Sequence, residues 1–375
     1  MPRLLWKAAR IREVRIEGLD RLEALRGQRA VLTPNHPTRM DPIVMFELSR
    51  QLGEPFNYLA SRETFSLPFF GMVFQKCGAY SVKRGAVDRQ SIKTTRKILV
   101  KGERKIVMFP EGLVYGQNDS LMPFHEGVFK FGYWALQDMK KAGMEEPLYY
   151  VPIGIRYEYT KSMEREIESA MTQLEEYLKI ENPDEDSYER LRNIGALVVA
   201  GYEAAYGVTP DKDATLDERV QYMKNLWVER AAKSLGISDD TSRPLGDRIR
   251  LIINTLDSIT VTNEDASEFE KKTVQRRQRE TEPLYKDLER ASRFLATGAN
   301  YVSEERTDQR FLEVISLIEE ELFGYSPVRG PRRAIVKIGT PHMLRTNDGE
   351  DAKAALTRTT SQIEQDVIKL INLKR

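Results

Sequence analysis

The chain is poor in reactive side chains: 375 residues contain one cysteine, Cys77, and three histidines. A lone thiol excludes an intramolecular disulfide framework and suits a reducing compartment, so a cytoplasmic location is the expectation. The scattered histidines and the cysteine show no zinc spacing. No Gly-rich phosphate loop or dinucleotide fingerprint is present, so neither metal nor cofactor is expected. No run reaches the ~20 apolar residues of a membrane-spanning helix, and no apolar stretch near the start ends in a signal-peptidase-like site. Charge of one sign is lacking as well. With 58 Lys+Arg against 57 Asp+Glu the net charge is +1, which argues against nucleic acid as a partner, because displacing its counterions needs a basic excess. Hydrophobic residues make up 41%, enough for a real core and, at ~150 residues per domain, for two or so domains.

One basic stretch stands out against this balance. On a helix, residues 1–11 place Leu4, Leu5, Ala8 and Ile11 on one side, Arg3, Lys7 and Arg10 on the other, and Trp6 at the border. Such a pattern fits a helix lying on an anionic membrane surface, and equally a solvated helix packed on its own domain.

Short aliphatic runs at 30–33, 105–109 and 148–155 read as buried strands, and 42–52, 87–101 and 123–141 carry helical periodicity. The alternation predicts an α/β fold, a layered sheet with flanking helices. From 161 to 324 strand signals vanish and Glu, Lys, Arg and Leu dominate, which predicts a helical insertion. A strand pattern returns at 333–339 and a terminal helix at 351–373, so 325–375 is expected to complete the α/β domain of 1–160. Within the insertion Arg190, Arg219 and Arg248 are 29 residues apart, and each is followed at offsets one, four and eight by apolar residues. Those offsets share a helical face, so three similar stacked helices are expected. The charged run FEKKTVQRRQRE (269–280) reads as a solvated helix face.

Chemistry concentrates in four segments. His36, in TPNHPTRMDP, follows a strand and precedes a helix; Asp41 lies five residues on, near enough for its carboxylate to accept a hydrogen bond from one imidazole nitrogen and leave the other basic. This is the acid and base of a triad without its serine, so the nucleophile would be a substrate hydroxyl. Arg84, in GAYSVKRG, offers a guanidinium suited to phosphate. Glu111 and Gly112, in IVMFPEGLVYG, turn at a strand end, and Pro152, in YYVPIGI, interrupts an apolar run, which predicts an edge or a bulge. His125 is expected to cap or pack, His342 to sit in a surface turn, and Cys77 to pack inertly. FSLPFFGMVF (65–74), the most apolar window, reads as core, the wall of an apolar channel or a membrane-inserting segment.

NHPTRMD, GAYSVKR, FPEG and VPI, in this order, resemble the four sequence blocks of the glycerolipid acyltransferase family, over about 14–159 together with the strand at 334–341. The resemblance implies that His36 is the general base and that Asp41 orients it. It implies that Arg84, Glu111 and Gly112 bind the acceptor, with Arg84 at a phosphate, and that Pro152 shapes the site. The implied partners are an acyl donor, acyl-CoA or acyl-carrier protein acting as co-substrate, a lysophospholipid acceptor such as lysophosphatidate, and a membrane surface with which the protein associates peripherally. One departure matters. The family's third block continues into a hydroxyl residue and an arginine, whereas Leu113, Val114 and Tyr115 follow here. Either Lys83, Arg39 or Lys130 assists Arg84, or the acceptor is another hydroxyl or amine compound. A non-catalytic lipid-binding scaffold is the reading from outside the enzyme class.

Overall fold

The computed structural model describes residues 6–7, 9–61, 75–82, 89–112, 114–260, 267–295, 300–345 and 351–372. Along the chain come β1 (Ile11–Glu17), α1 (Leu19–Glu23), β2 (Arg29–Pro34), α2 (Asp41–Leu52), β3 (Asn57–Ser61), β4 (Ala79–Val82), α3 (Arg89–Lys101), β5 (Ile106–Val107), α4 (Glu126–Lys141) and β6 (Leu148–Tyr159). Helices follow: α5 (Glu164–Leu178), α6 (Ser187–Tyr206), α7 (Leu216–Ser234), α8 (Leu245–Thr260), α9 (Glu268–Arg293), α10 (Asn300–Ser303) and α11 (Asp308–Phe323). The chain ends with β7 (Arg332–Ile338), β8 (His342–Met343) and α12 (Ala352–Leu370). Two units result, one of Met1–Val114, Asn118–Glu158 and Gly330–Arg375, the other of Tyr115–Gln117 and Tyr159–Arg329.

The first unit is α/β. Its sheet has the order β1-β7-β6-β2-β5-β3-β4, with β8 on β6. β2 pairs parallel with β5 and β6, β3 with β4 and β5, and β1 with β7, whereas β8 is antiparallel to β6. Alternate residues of one strand enter different cores: Ala30 and Leu32, with Val151, Ile153 and Ile155, join one cluster, while Val31, Leu148 and Tyr150 join the other. Burial on both faces is why these strands read as continuous aliphatic runs.

Two sequence expectations need correction here. Pro152 is not on an edge strand, since β6 lies inside the sheet and Pro152 pairs with Thr33 of β2. On its other side Pro152 sits where one neighbour gives way to the next: its carbonyl accepts from Gly339 N–H, one residue past β7, and Tyr150 already faces His342 of β8. A residue without an N–H fits that break in the ladder. At the N-terminus, Ala9 and Arg10 form a turn and Ile11 opens β1, so the helix cannot run to Ile11. Trp6 packs against the sheet core; residues 1–5 lie outside the described residues, as do 65–74.

The second unit is helical among its described residues. Its turn-rich breaks supply caps: Asp186 accepts from Tyr188 and Glu189 N–H before α6, and capping boxes pair Thr215 with Glu218 before α7 and Ser267 with Glu270 before α9. Arg190, Arg219 and Arg248 each occupy the fourth position of a helix, namely α6, α7 and α8. Each makes a forked pair with a carboxylate from an earlier segment: Arg190 with Glu175 (2.8 and 2.7 Å), Arg219 with Glu203 (2.8 and 2.6 Å), and Arg248 with Asp239. Of the apolar residues at offsets one, four and eight, eight are buried and Val220 is half-buried. The charged run on α9 faces solvent, Phe269 being 79% exposed and Arg276 paired with Glu280. No described helix is long and apolar enough to cross a membrane.

Candidate active site

Parallel strands deliver their carboxyl ends to one edge of the sheet, where loops of an open α/β fold bind ligands. At the end of β2 the chain turns through Asn35 and His36 before α2 opens at Asp41, with Pro42 in its first turn. Asn35 is buried and its amide acts as one more rung, donating to Ile155 O (3.0 Å) and accepting from Ile155 N–H (2.6 Å) on β6. The backbone immediately before His36 is thereby fixed.

His36 Nδ1 and Asp41 Oδ2 lie 2.7 Å apart. Asp41 is fully buried at the positive end of α2, which favours its charge. Its Oδ2 also accepts from Thr38 N–H (2.9 Å), and its Oδ1 accepts from the Thr38 hydroxyl (2.8 Å) and the Tyr157 hydroxyl (2.6 Å). A carboxylate has about four acceptor positions, and here all four are used. With Nδ1–H donated to Asp41, Nε2 keeps its lone pair and has no partner among the described residues. The side chain retains 15% exposure. Its ring stacks on Phe109, beyond the end of β5, with centroids 3.9 Å apart and planes inclined by 21°.

The PEG turn holds this loop from the other side. Glu111 is 1% exposed; Oε1 accepts from His36 N–H (2.6 Å) and Oε2 from Met122 N–H (2.7 Å). Each oxygen accepts from a backbone N–H, so the carboxylate ties the loop that carries His36 to the segment at Met122. Gly112 has φ +70°, and a Cβ there would lie 2.9 Å from His125 Nε2. His125 precedes α4 without making a side-chain cap, and packs over Gly112. His342 is not in a surface turn; it lies in β8 and its Nε2 meets Asp366 at 2.7 Å. Arg84 and Lys83 lie outside the described residues; Arg39 and Lys130 are exposed. Among the described residues no group of His, Cys, Asp and Glu is placed to hold a metal ion.

Residues 13–156 match the acyltransferase family. Over this span the α/β unit is similar to acyltransferase domains, which supports the resemblance to the glycerolipid acyltransferase family. Across 82 residues the chain is 30% identical to a 1-acyl-sn-glycerol-3-phosphate acyltransferase of Streptococcus pneumoniae, a stretch that is 22% of this chain and 30% of that relative. The chain thus spans about a third of the length of the curated relative it matches. His36, Asp41, Glu111, Gly112 and Pro152 all lie within the matched span.

Sequence reasoning missed three contributors. Thr38 lies inside the first block, where a hydroxyl residue three before a helix-opening Asp is a readable signal. Phe109 was visible as a strand end, but its stacking was not. Tyr157 is 116 residues from Asp41 and carries no local signal of the contact.

Proposed function

We propose that the protein is an O-acyltransferase that moves a fatty acyl chain from a thioester, acyl-CoA or acyl-carrier protein, to the hydroxyl of a lysophospholipid, lysophosphatidate foremost. The observation that carries this reading is the His36–Asp41 pair at 2.7 Å, with Nε2 unpartnered among the described residues, at the carboxyl end of β2 within the matched span. His36 Nε2 takes the proton of the acceptor hydroxyl as its oxygen bonds to the thioester carbon. The tetrahedral intermediate then expels the thiolate, the C–S bond breaks, and the imidazolium returns the proton to sulfur. Asp41 holds the Nδ1–H tautomer and stabilises the imidazolium, and no acyl-enzyme is required. A positioned base of this kind supplies ~10²–10⁴-fold, and alignment of acceptor and donor much of the remainder. The lipid character of both substrates places the reaction at a membrane surface, on the cytoplasmic side in keeping with the lone cysteine.

A second reading, transfer to another hydroxyl or to an amine, is favoured by Leu113-Val114-Tyr115, which replaces the hydroxyl residue and arginine of the family's third block. Purified protein incubated with membranes, a series of acyl thioesters and a panel of acceptors, with products detected by mass, separates the two. Esterified lysophosphatidate supports the first reading, and acylation confined to phosphate-free acceptors supports the second. Arg84→Ala is expected to raise the KM for phosphate-bearing acceptors more than it lowers kcat; equal effects on acceptors with and without phosphate contradict a phosphate contact.

A further inference from the structure

Asp41 is gripped from a third direction. Thr38 and His36 belong to the same loop as Asp41, but Tyr157 comes from the far end of β6 and brings its hydroxyl to Oδ1. Its placement is over-determined. Asn118 donates to Tyr157 O (2.6 Å) and accepts from Tyr157 N–H (2.9 Å), repeating at Tyr157 what Asn35 does at Ile155 two residues earlier. The Arg332 guanidinium of β7 lies over the Tyr157 ring, 5.0 Å from its centroid, and donates to Ala9 O (3.2 Å). Tyr157 is one residue before Glu158, where the α/β unit ends its first passage, and Arg332 follows two residues after Gly330, where the unit resumes. The strands on either side of the insertion, β6 and β7, are neighbours in the sheet, and their residues Tyr157 and Arg332 meet there.

We propose that Tyr157 is a positioning residue of the acyltransferase site, whose phenolic O–H on Asp41 sets how strongly His36 takes a proton. This rests on the reading of His36 as the base. A carboxylate that receives a strong donor spreads charge toward it and attracts the imidazolium less, so the phenol moderates the basicity that Asp41 confers. Burial, and then the charge of Asp41, push the phenol's own pKa well above the ordinary tyrosine value. The phenol therefore keeps its proton, and stays a donor, across the neutral pH range. Other groups around the imidazole do different work: Glu111 is bound to the His36 backbone N–H, Phe109 is uncharged, and the Arg332 guanidinium lies over the Tyr157 ring and donates to Ala9 O.

The test is a pair of variants with opposite signs. Tyr157→Phe removes the donor and is expected to raise the His36 pKa by ~0.5–1 unit, read by NMR titration of the ring nitrogens, and to move the acidic limb of kcat/KM upward equally. Replacing Tyr157 with 3,5-difluorotyrosine keeps the shape, strengthens the donor and is expected to move both downward. If Tyr157→Phe does not fold, the fluorinated protein carries the test alone. A titration unmoved in the folded variants overturns the proposal, even if stability or kcat falls, because packing alone explains such a loss. The ring titration does not depend on turnover. Shifts of the expected sign in a protein that transfers no acyl group leave the role of Tyr157 standing and reject the acyltransferase reading, while transfer with unmoved titration does the reverse.

Discussion

In the α/β unit the buried carboxylate Asp41 faces an imidazole, whereas in the helical unit the carboxylates of Glu175, Glu203 and Asp239 face guanidinium groups. Both arrangements satisfy charge in places where unpaired charge is costly. Their chemistry differs because a guanidinium never gives up its proton, so the three forked pairs are closed and can only join segments of the fold. An imidazole does exchange its proton, and Asp41 has every acceptor position filled while His36 Nε2 is unpartnered among the described residues. A buried acid becomes chemically useful when its partner titrates and keeps one side open. The same contrast separates His36 from His342, whose partner Asp366 also pairs with Lys369 (3.0 Å) near the start of β6, away from the carboxyl ends of the strands.

The sharpest way to break the comparison is to change the acid without changing its shape. Asp41→Asn puts a donor amide among four donors and favours the wrong imidazole tautomer; the acyl-transfer rate is expected to fall on the order of 10³-fold or more, measured as kcat on folded protein. A loss under tenfold would put Asp41 on a level with the structural carboxylates. The converse test is Arg219→Ala, which leaves Glu203 buried and unpaired. It is expected to lower unfolding free energy by about 3–5 kcal/mol, with kcat per folded molecule unchanged, and replacing Glu203 by Leu in the same protein should restore much of the stability. A fall in kcat with no change in stability would give the forked pairs a role that their geometry does not suggest.

A smaller effect sharpens the contrast from the alkaline side. Burial is the first cause that raises the phenol pKa values of Tyr58, Tyr80, Tyr150 and Tyr157 in the α/β unit above the ordinary 10.0. An acid that holds its proton more tightly when folded contributes stability that is complete below the unfolded value of ~10 and is lost as pH rises above it. In the helical unit burial likewise raises Tyr202, and Tyr206 is pushed up to about 12. Denaturant midpoints are therefore expected to decline above pH ~10, with tyrosinate absorbance appearing together with unfolding. Titration of these phenols near their ordinary value in a folded protein contradicts the burial described.

Much of the architecture could be read from periodicity, because β2 and β6 are buried on both faces and their aliphatic runs announce it. The helical character of the insertion was equally open, as were the shared positions of Arg190, Arg219 and Arg248. What these arginines pair with was not, since Glu175, Glu203 and Asp239 lie at different separations from them. For the candidate site, the five-residue spacing of His36 and Asp41 was enough to bring them together, because a short loop between a strand and a helix leaves few other arrangements. Glu111 shows what local reading leaves out: the tertiary fold places the backbone N–H groups of His36 and Met122 against its carboxylate, contacts that its residue type does not announce. Pro152 was misjudged for a related reason: a strand inside a sheet can still have a break in its ladder where one neighbour ends and another begins.

The proposed acyl transfer depends on His36 taking a proton from the acceptor. Its most direct measurement is the rate of ester formation from an acyl thioester and lysophosphatidate by wild type and by His36→Ala, each shown to be folded by circular dichroism. The expected result is product from wild type and a rate at least ~10²-fold lower from folded His36→Ala; equal rates from the two folded proteins would contradict it.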